Sequence, residues 1–255
     1  MIRKKQMWTD QEFARNCLEF FDFAVEAAKV YKKRCPEKSF SDILKTHTIF
    51  PWSLRSSTSE CKEYPAEALT FLAEADEDLD GAAARFRPAM EKIALRNSPL
   101  AQVWNPRFKP GMSLRWDGPH PSLPDNICIV HMWNGIAPKS FLNEPRYLAE
   151  NFIEILDDSQ KHHPFDTLRT FSWLNSSPRY LAFFPQEWQD NLCNPHPDVY
   201  ANMGFLGQFV TADGRLNKKT AQSYLETGKL PFIPRESHCS YEALREHLYK
   251  NFLKG

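Results

Sequence analysis

From Ile127 to Trp133 the chain reads Ile-Cys-Ile-Val-His-Met-Trp, seven residues that are nearly all apolar and β-favouring. So continuous an apolar run belongs to a central, buried strand, because an edge or half-covered strand alternates apolar with polar positions. This one segment forces a covered sheet on the fold. Ser113 to Trp116 alternates like a shorter strand, and Leu168 to Leu174 is a further strand candidate. Between the two apolar runs, Pro145 to Asp157 carries Leu148, Phe152, Ile155 and Leu156 on one helical face. Tyr180 to Phe184 suits strand or helix equally.

The first ~95 residues have a different texture, consistent with helices throughout. Thr9 followed by Glu12 reads as a capping box. Phe13, Cys17, Phe20, Phe21, Ala24, Ala28 and Tyr31 then form one apolar stripe. Lys32, Lys33 and Arg34 suit the negative end of that helix, and Pro36 stops it. A short helix follows Ser39, a loop spans His47 to Tyr64, Pro65 opens a helix at its first position, and another helix runs from Asp80 to about Arg96. Near the C-terminus, Lys218 to Thr227 forms a helix ending at Gly228, and Ser240 caps a last helix from Tyr241 to Leu253. The expected fold is mixed α/β (α+β): a helical N-terminal segment on a mixed sheet with flanking helices. A single globular domain over residues 1–255 is the simplest organisation, with 9–96 as a helical subdomain and 97–255 as the mixed part.

Composition narrows the function classes. Lys plus Arg and Asp plus Glu balance at 32 each, which argues against broad phosphate neutralisation of nucleic acid and against a polybasic membrane anchor. Glycine is scarce, at 9 residues, so backbone cradles for phosphate are few. Neither a G-x-G-x-x-G, a G-x-x-x-x-G-K-[ST], a G-x-S-x-G nor an H-E-x-x-H pattern occurs. The basic start, Met1 to Trp8, lacks the apolar run of a signal peptide, and no stretch is long enough to span a membrane. Cys17, Cys35, Cys61, Cys128, Cys193 and Cys239 show no paired spacing, as expected of free thiols in a cytoplasmic protein.

Candidate chemistry gathers at two strand ends. His131, Trp133, Asn134 and Ser140 lie at or beyond the end of the first apolar run, where α/β proteins place ligands. Ser172, Trp173, Asn175 and Arg179 lie at or beyond the end of the second. His131 is a candidate general base, with Asn134, Ser172 and Asn175 as polar partners for a developing oxyanion. Trp133 and Trp173 would wall a pocket for a small-molecule substrate, with Ser140 and Arg179 orienting it. Weaker candidates are the Cys193-Asn194-Pro195-His196 run as metal ligands, a Cys239 nucleophile paired with His131, and an acid/base role for Asp117 and His120.

The order of these motifs resembles an acyltransferase-like family related to the GNAT fold. The resemblance lies in a strand carrying His131, a turn with Pro138 and Ser140, a helix, Phe171-Ser172-Trp173-Leu174, and a helix from Thr220 to Gly228. It covers roughly Leu114 to Lys229, and Asn175 stands where that family has a second leucine. It implies a mixed sheet with flanking helices and acyl transfer from a thioester donor such as acyl-coenzyme A, although the glycine-rich pyrophosphate loop is absent. The alternative from the residues themselves is a non-catalytic accessory protein whose aromatics line a ligand or partner groove.

Overall fold

The apolar run is a strand in the interior of a four-stranded sheet. The structure, a computed structural model, describes residues 8–54, 64–101 and 107–254. In chain order the helices before the sheet are α1 (Asp10–Arg34), α2 (Phe40–His47), α3 (Phe50–Ser53), α4 (Ala66–Glu74) and α5 (Leu79–Ala101). Then come β1 (Leu114–Trp116), β2 (Ile127–Met132), α6 (Pro145–His162), β3 (Thr167–Ser172), α7 (Pro178–Leu181) and α8 (Gln186–Asp190). The chain continues through α9 (Met203–Leu206), α10 (Lys218–Thr227), β4 (Arg235–Ser240) and α11 (Tyr241–Leu248). This is the expected mixed α/β fold.

The chain divides into two compact units. The helical unit comprises Met1–Trp104, Asp198–Thr211 and Arg215–Pro231. Its first helix begins with the expected capping box: Glu12 N–H donates to Thr9 Oγ1 at 3.2 Å and Thr9 N–H to Glu12 Oε2 at 2.8 Å. The apolar stripe of α1 is buried as its spacing requires. Phe21, Phe50, Phe71 and Phe86 meet edge-on, tilted and stacked at the centre of the unit. Each fully buried side chain of this kind stabilises the fold by ~1.5–3 kcal/mol.

Residues 198–211 and 215–231, read in sequence as mixed α/β, belong to the helical unit for identifiable reasons. Tyr31 Oη donates to Asp198 Oδ2 at 3.0 Å, and His47 Nδ1–H donates to the Val199 carbonyl at 2.6 Å. Arg34 donates to the Gly228 carbonyl at 2.8 Å. Gly228 ends α10 at φ 65°, a left-handed conformation that glycine adopts without steric penalty.

The second unit comprises Asn105–Pro197, Ala212–Gly214 and Phe232–Gly255, and holds the sheet in the order β1-β2-β3-β4. β1 is antiparallel to β2, β2 parallel to β3, and β3 antiparallel to β4. The parallel step needs a crossover, supplied by α6. One face of the sheet is core: Cys128, Val130, Leu168 and Cys239 pack with Leu148, Phe152, Ile155 and Leu156 of α6 and Leu244 and Leu248 of α11. The opposite face carries Ile127, Ile129 and His131 from β2 and Thr167, Arg169 and Phe171 from β3, all partly exposed. The interior strand is therefore closed on one face, not on both as its apolar content suggests; Ile127 and Ile129 account for the difference.

Several boundaries depart from expectation. β3 stops at Ser172 and gives way to a 3-10 turn, Trp173–Ser176, in which the Leu174 N–H is met by the Ser172 hydroxyl. Tyr180 to Phe184 includes the end of a short helical turn rather than a strand. Pro65 is the residue before α4, not its first helical position. The segment Arg235–Ser240, expected only as a lead-in to the last helix, is β4. Its inward residues, Ser237 and Cys239, are small, and the Ser237 hydroxyl donates to the Trp188 carbonyl at 2.5 Å, which satisfies a buried polar group. Ser240 then caps α11 as predicted. Among the described residues no helix is long and apolar enough to cross a membrane.

Candidate functional site

His131 lies on the open face of the sheet for a simple geometric reason. Side chains alternate along a strand, and Cys128 and Val130 point into the core, so His131 points the other way. Its antiparallel partner on β1 is Arg115. Asp117, two residues past Arg115, shares that face, and its N–H donates to the Ile129 carbonyl at 3.1 Å, which holds it beside β2. Trp116, between them, turns to the helices and donates Nε1–H to Asp158 of α6 at 2.9 Å. One parity rule thus delivers an arginine, a carboxylate and an imidazole to one patch.

The contacts define the chemistry. His131 Nε2 lies 2.6 Å from Asp117 Oδ2, and the other Asp117 oxygen pairs with Arg115. A carboxylate accepts, so His131 Nε2 carries the proton and Nδ1 bears the basic lone pair of the neutral ring. Among the described residues Nδ1 has no hydrogen-bond partner. Burial tends to raise the Asp117 carboxyl, but His131 and Arg115 outweigh it and hold it below the usual carboxylate range. Burial and the Arg115 charge pull the imidazole below its ordinary value, with Asp117 acting in the opposite sense. The histidine side chain is 42% exposed, so Nδ1 is reachable from solvent.

The other expected site residues do not join it. Ser172 shares the inward parity of Leu168 and Thr170, so it lies on the opposite face of the sheet from His131. Asn175 is 1% exposed: Nδ2 donates to the Thr170 and Arg235 carbonyls at 3.2 and 2.8 Å, and Oδ1 accepts Trp188 Nε1–H at 3.2 Å. Asn134 Nδ2 donates to the carbonyls of Lys139 and Ala212, each at 2.8 Å, and so ties a loop together. Its Oδ1 is buried without a partner among the described residues. Ser140 caps a 3-10 turn, and Arg179 donates to Asn143. Trp133 packs on Phe108 and Trp173 on Phe232, at 5.8 and 5.7 Å between ring centroids. A common pocket joining His131, Ser172 and Asn175 is therefore absent: the sheet separates the first from the second, and the third is closed inside.

The minor candidates resolve similarly. Cys239 lies on the core face, across the sheet from His131, and burial raises its thiol far above the ordinary range. The two do not form a nucleophile–base pair. Cys193 is exposed, its backbone bridges Glu236, and among the described residues no cluster of three metal-ligand side chains exists. His120 accepts from Ser122 N–H within its own turn. Cys61 lies outside the described residues. A groove of about 460 Å³ runs along α6 and is lined by Lys109, Arg146, Glu154, Asp158 and Tyr249 among others, none of them on the open face of the sheet.

The contact between Asp117 and His131 is what sequence reasoning missed. The sequence offers Asp117 for an acid/base role beside His120 in a tight turn, and only strand register reveals that it meets His131 instead. The parity of Cys128 and Val130 against His131, and of Leu168 and Thr170 with Ser172, was the available signal. No protein-family model matches this sequence, and neither a curated protein nor a solved structure matches it.

Proposed function

We propose that the protein is an enzyme of small-molecule metabolism in which His131, oriented by Asp117, removes a proton from an acceptor amine or hydroxyl. The observation that carries this reading is the 2.6 Å bond from His131 Nε2 to Asp117, with Nδ1 open to solvent. A carboxylate that fixes the tautomer and stabilises the imidazolium makes histidine a better base at a defined atom. A core histidine satisfied by backbone would lack both features. The reaction class we favour is acyl transfer from a thioester, on the motif order described above. Asn134, Ser172 and Asn175 do not support the oxyanion in this scheme: the amide donors of Asn134 and Asn175 are engaged elsewhere, and Ser172 lies on the opposite face of the sheet. Cationic groups of the open face are better placed for that role, Arg115 first among them.

A non-catalytic binding protein is the second reading, favoured by those same engaged donors. The deciding experiment incubates purified protein with acetyl-coenzyme A and a panel of amines and alcohols, and follows release of the free thiol. The enzyme reading expects acceptor-dependent release that falls by ~10²-fold or more in His131→Ala without loss of thioester affinity. Absence of release across the panel, with no thioester-induced rise in melting temperature, transfers the assignment to binding.

A further inference from the structure

Arg169 of β3 stands on the same open face, directly beside Ile129 of β2. His131 is two residues further along β2, so Arg169 and His131 are diagonal neighbours across the parallel pair. Adjacent strands lie ~4.8 Å apart and alternate residues ~6.6 Å apart along a strand, so the two Cα atoms are on the order of 8 Å apart, within reach of a long side chain. Arg169 donates Nη2–H to Glu236 Oε2 at 2.6 Å, and its register partner on β4 is His238 rather than Glu236. The pair therefore runs diagonally along the face. Glu236 is itself held: Asn194 Nδ2 donates to the same Oε2 at 3.0 Å. Asn194 adopts φ 48°, the one non-glycine residue with positive φ among those described, in the rigid Cys-Asn-Pro-His run. Asparagine tolerates that region better than most residues. The run that looked metal-binding in sequence thus buttresses Glu236, and Glu236 fixes one edge of the guanidinium. Phe171 sits two residues beyond Arg169 on the same face, with His196 edge-on to its ring at 5.9 Å.

Among the described residues, Nε and Nη1 of Arg169 have no partner. Nε and Nη1 lie on opposite edges of the guanidinium, so the planar two-donor fork that matches a carboxylate is Nε–H with the second hydrogen of Nη2, the first being held by Glu236. The side chain is 28% exposed, so the fork is accessible. We propose that Arg169 binds a carboxylate of the substrate, positioned by Glu236 and Asn194, and that Phe171 lines the apolar part of the same subsite. The substrate class is then a small carboxylic acid bearing the amine or hydroxyl that His131 deprotonates. This rests on the reading of His131 as base.

The test separates binding from turnover. Benzoate is titrated into the full-length protein by calorimetry, with benzamide as its uncharged counterpart. Wild type and His131→Ala are expected to bind benzoate saturably and benzamide at least tenfold more weakly. Arg169→Gln and Arg169→Lys lose tenfold or more in benzoate affinity, the lysine because it lacks the fork. Glu236→Gln weakens binding several-fold with a melting temperature within a few degrees of wild type, a split that a purely structural ion pair does not produce. Equal binding of benzamide, unchanged affinity in both Arg169 variants, or no saturable binding overturns the proposal. If benzoate binding depends on Arg169 while turnover survives in His131→Ala, the carboxylate site stands and the base assignment falls.

Discussion

Replacing Asn175 by alanine distinguishes a structural amide from a catalytic one. The side chain sits in the 3-10 turn that follows β3 and connects three elements: the Thr170 carbonyl in β3, the Arg235 carbonyl in β4, and the Trp188 indole in α8. Trp188 is 0% exposed, so its Nε1–H has no water to turn to when the acceptor is removed. A buried donor left unsatisfied costs ~1–3 kcal/mol, and each carbonyl that loses its donor forfeits about 1 kcal/mol more. Some relaxation offsets this sum, so the expected loss is about 3 kcal/mol. In a unit of this size that lowers the melting temperature by ~10 °C. Asn175→Asp does not rescue it, because an oxygen then faces the two carbonyls. Thermal and urea denaturation with turnover measured below the transition give the answer. The expected outcome is a strongly destabilised variant that keeps its activity where still folded. A variant with unchanged melting temperature and abolished turnover would refute the reasoning and return Asn175 to the catalytic site.

Other consequences follow from the same contacts. Asp117→Asn removes the charge that opposes depression of the His131 pKa, so the acid limb of the rate profile moves to lower pH and turnover drops by about tenfold or more. In the wild type the folded imidazole titrates below its unfolded value of ~6.5. The unfolded state therefore binds more protons just below that value, and denaturation at graded pH should show stability falling as pH drops through that window. In a thiol-reactivity assay on native protein, Cys193→Ser should remove a fast-reacting equivalent, because Cys193 is exposed. Cys128, pushed up to about 11 by burial, and Cys239, raised further, should react only after unfolding. Gly135→Ala should destabilise by ~1–3 kcal/mol in urea denaturation, since a Cβ there would come within 2.5 Å of the Met112 carbonyl oxygen.

Elements with strong periodicity or clear end signals were legible in the sequence. α1 carries its cap, its stripe and its basic end, and β2 is conspicuous because apolar residues are concentrated in it. β4 was not legible, since Arg-Glu-Ser-His-Cys-Ser has neither alternation of apolar residues nor β-branched ones, and its pairing comes from β3 along its length and from Cys193 at Glu236. Similarly, the two extra segments of the helical unit are recruited by hydrogen bonds from Tyr31, Arg34 and His47, which leave no local trace. At the site, His131 was legible as a polar residue in an apolar strand. Ser172 and Asn175 were over-read, because a polar residue at a strand end serves a substrate or the backbone with the same letter. Burial decides between these, and burial is a tertiary property. The Asp117 partnership depends on the β1–β2 register, which spacing alone does not reveal.

The central claim is that Asp117 holds His131 with its basic nitrogen, Nδ1, facing solvent. Nitrogen-15 NMR of the histidine-labelled protein, titrated from pH 4.5 to 8.5, tests it directly, with His131→Ala providing the assignment. The account predicts an imidazole protonated on Nε2 in its neutral form, with a midpoint below ~6.5 that falls further in Asp117→Asn. A neutral tautomer protonated on Nδ1, or a midpoint unmoved by Asp117→Asn, would contradict it.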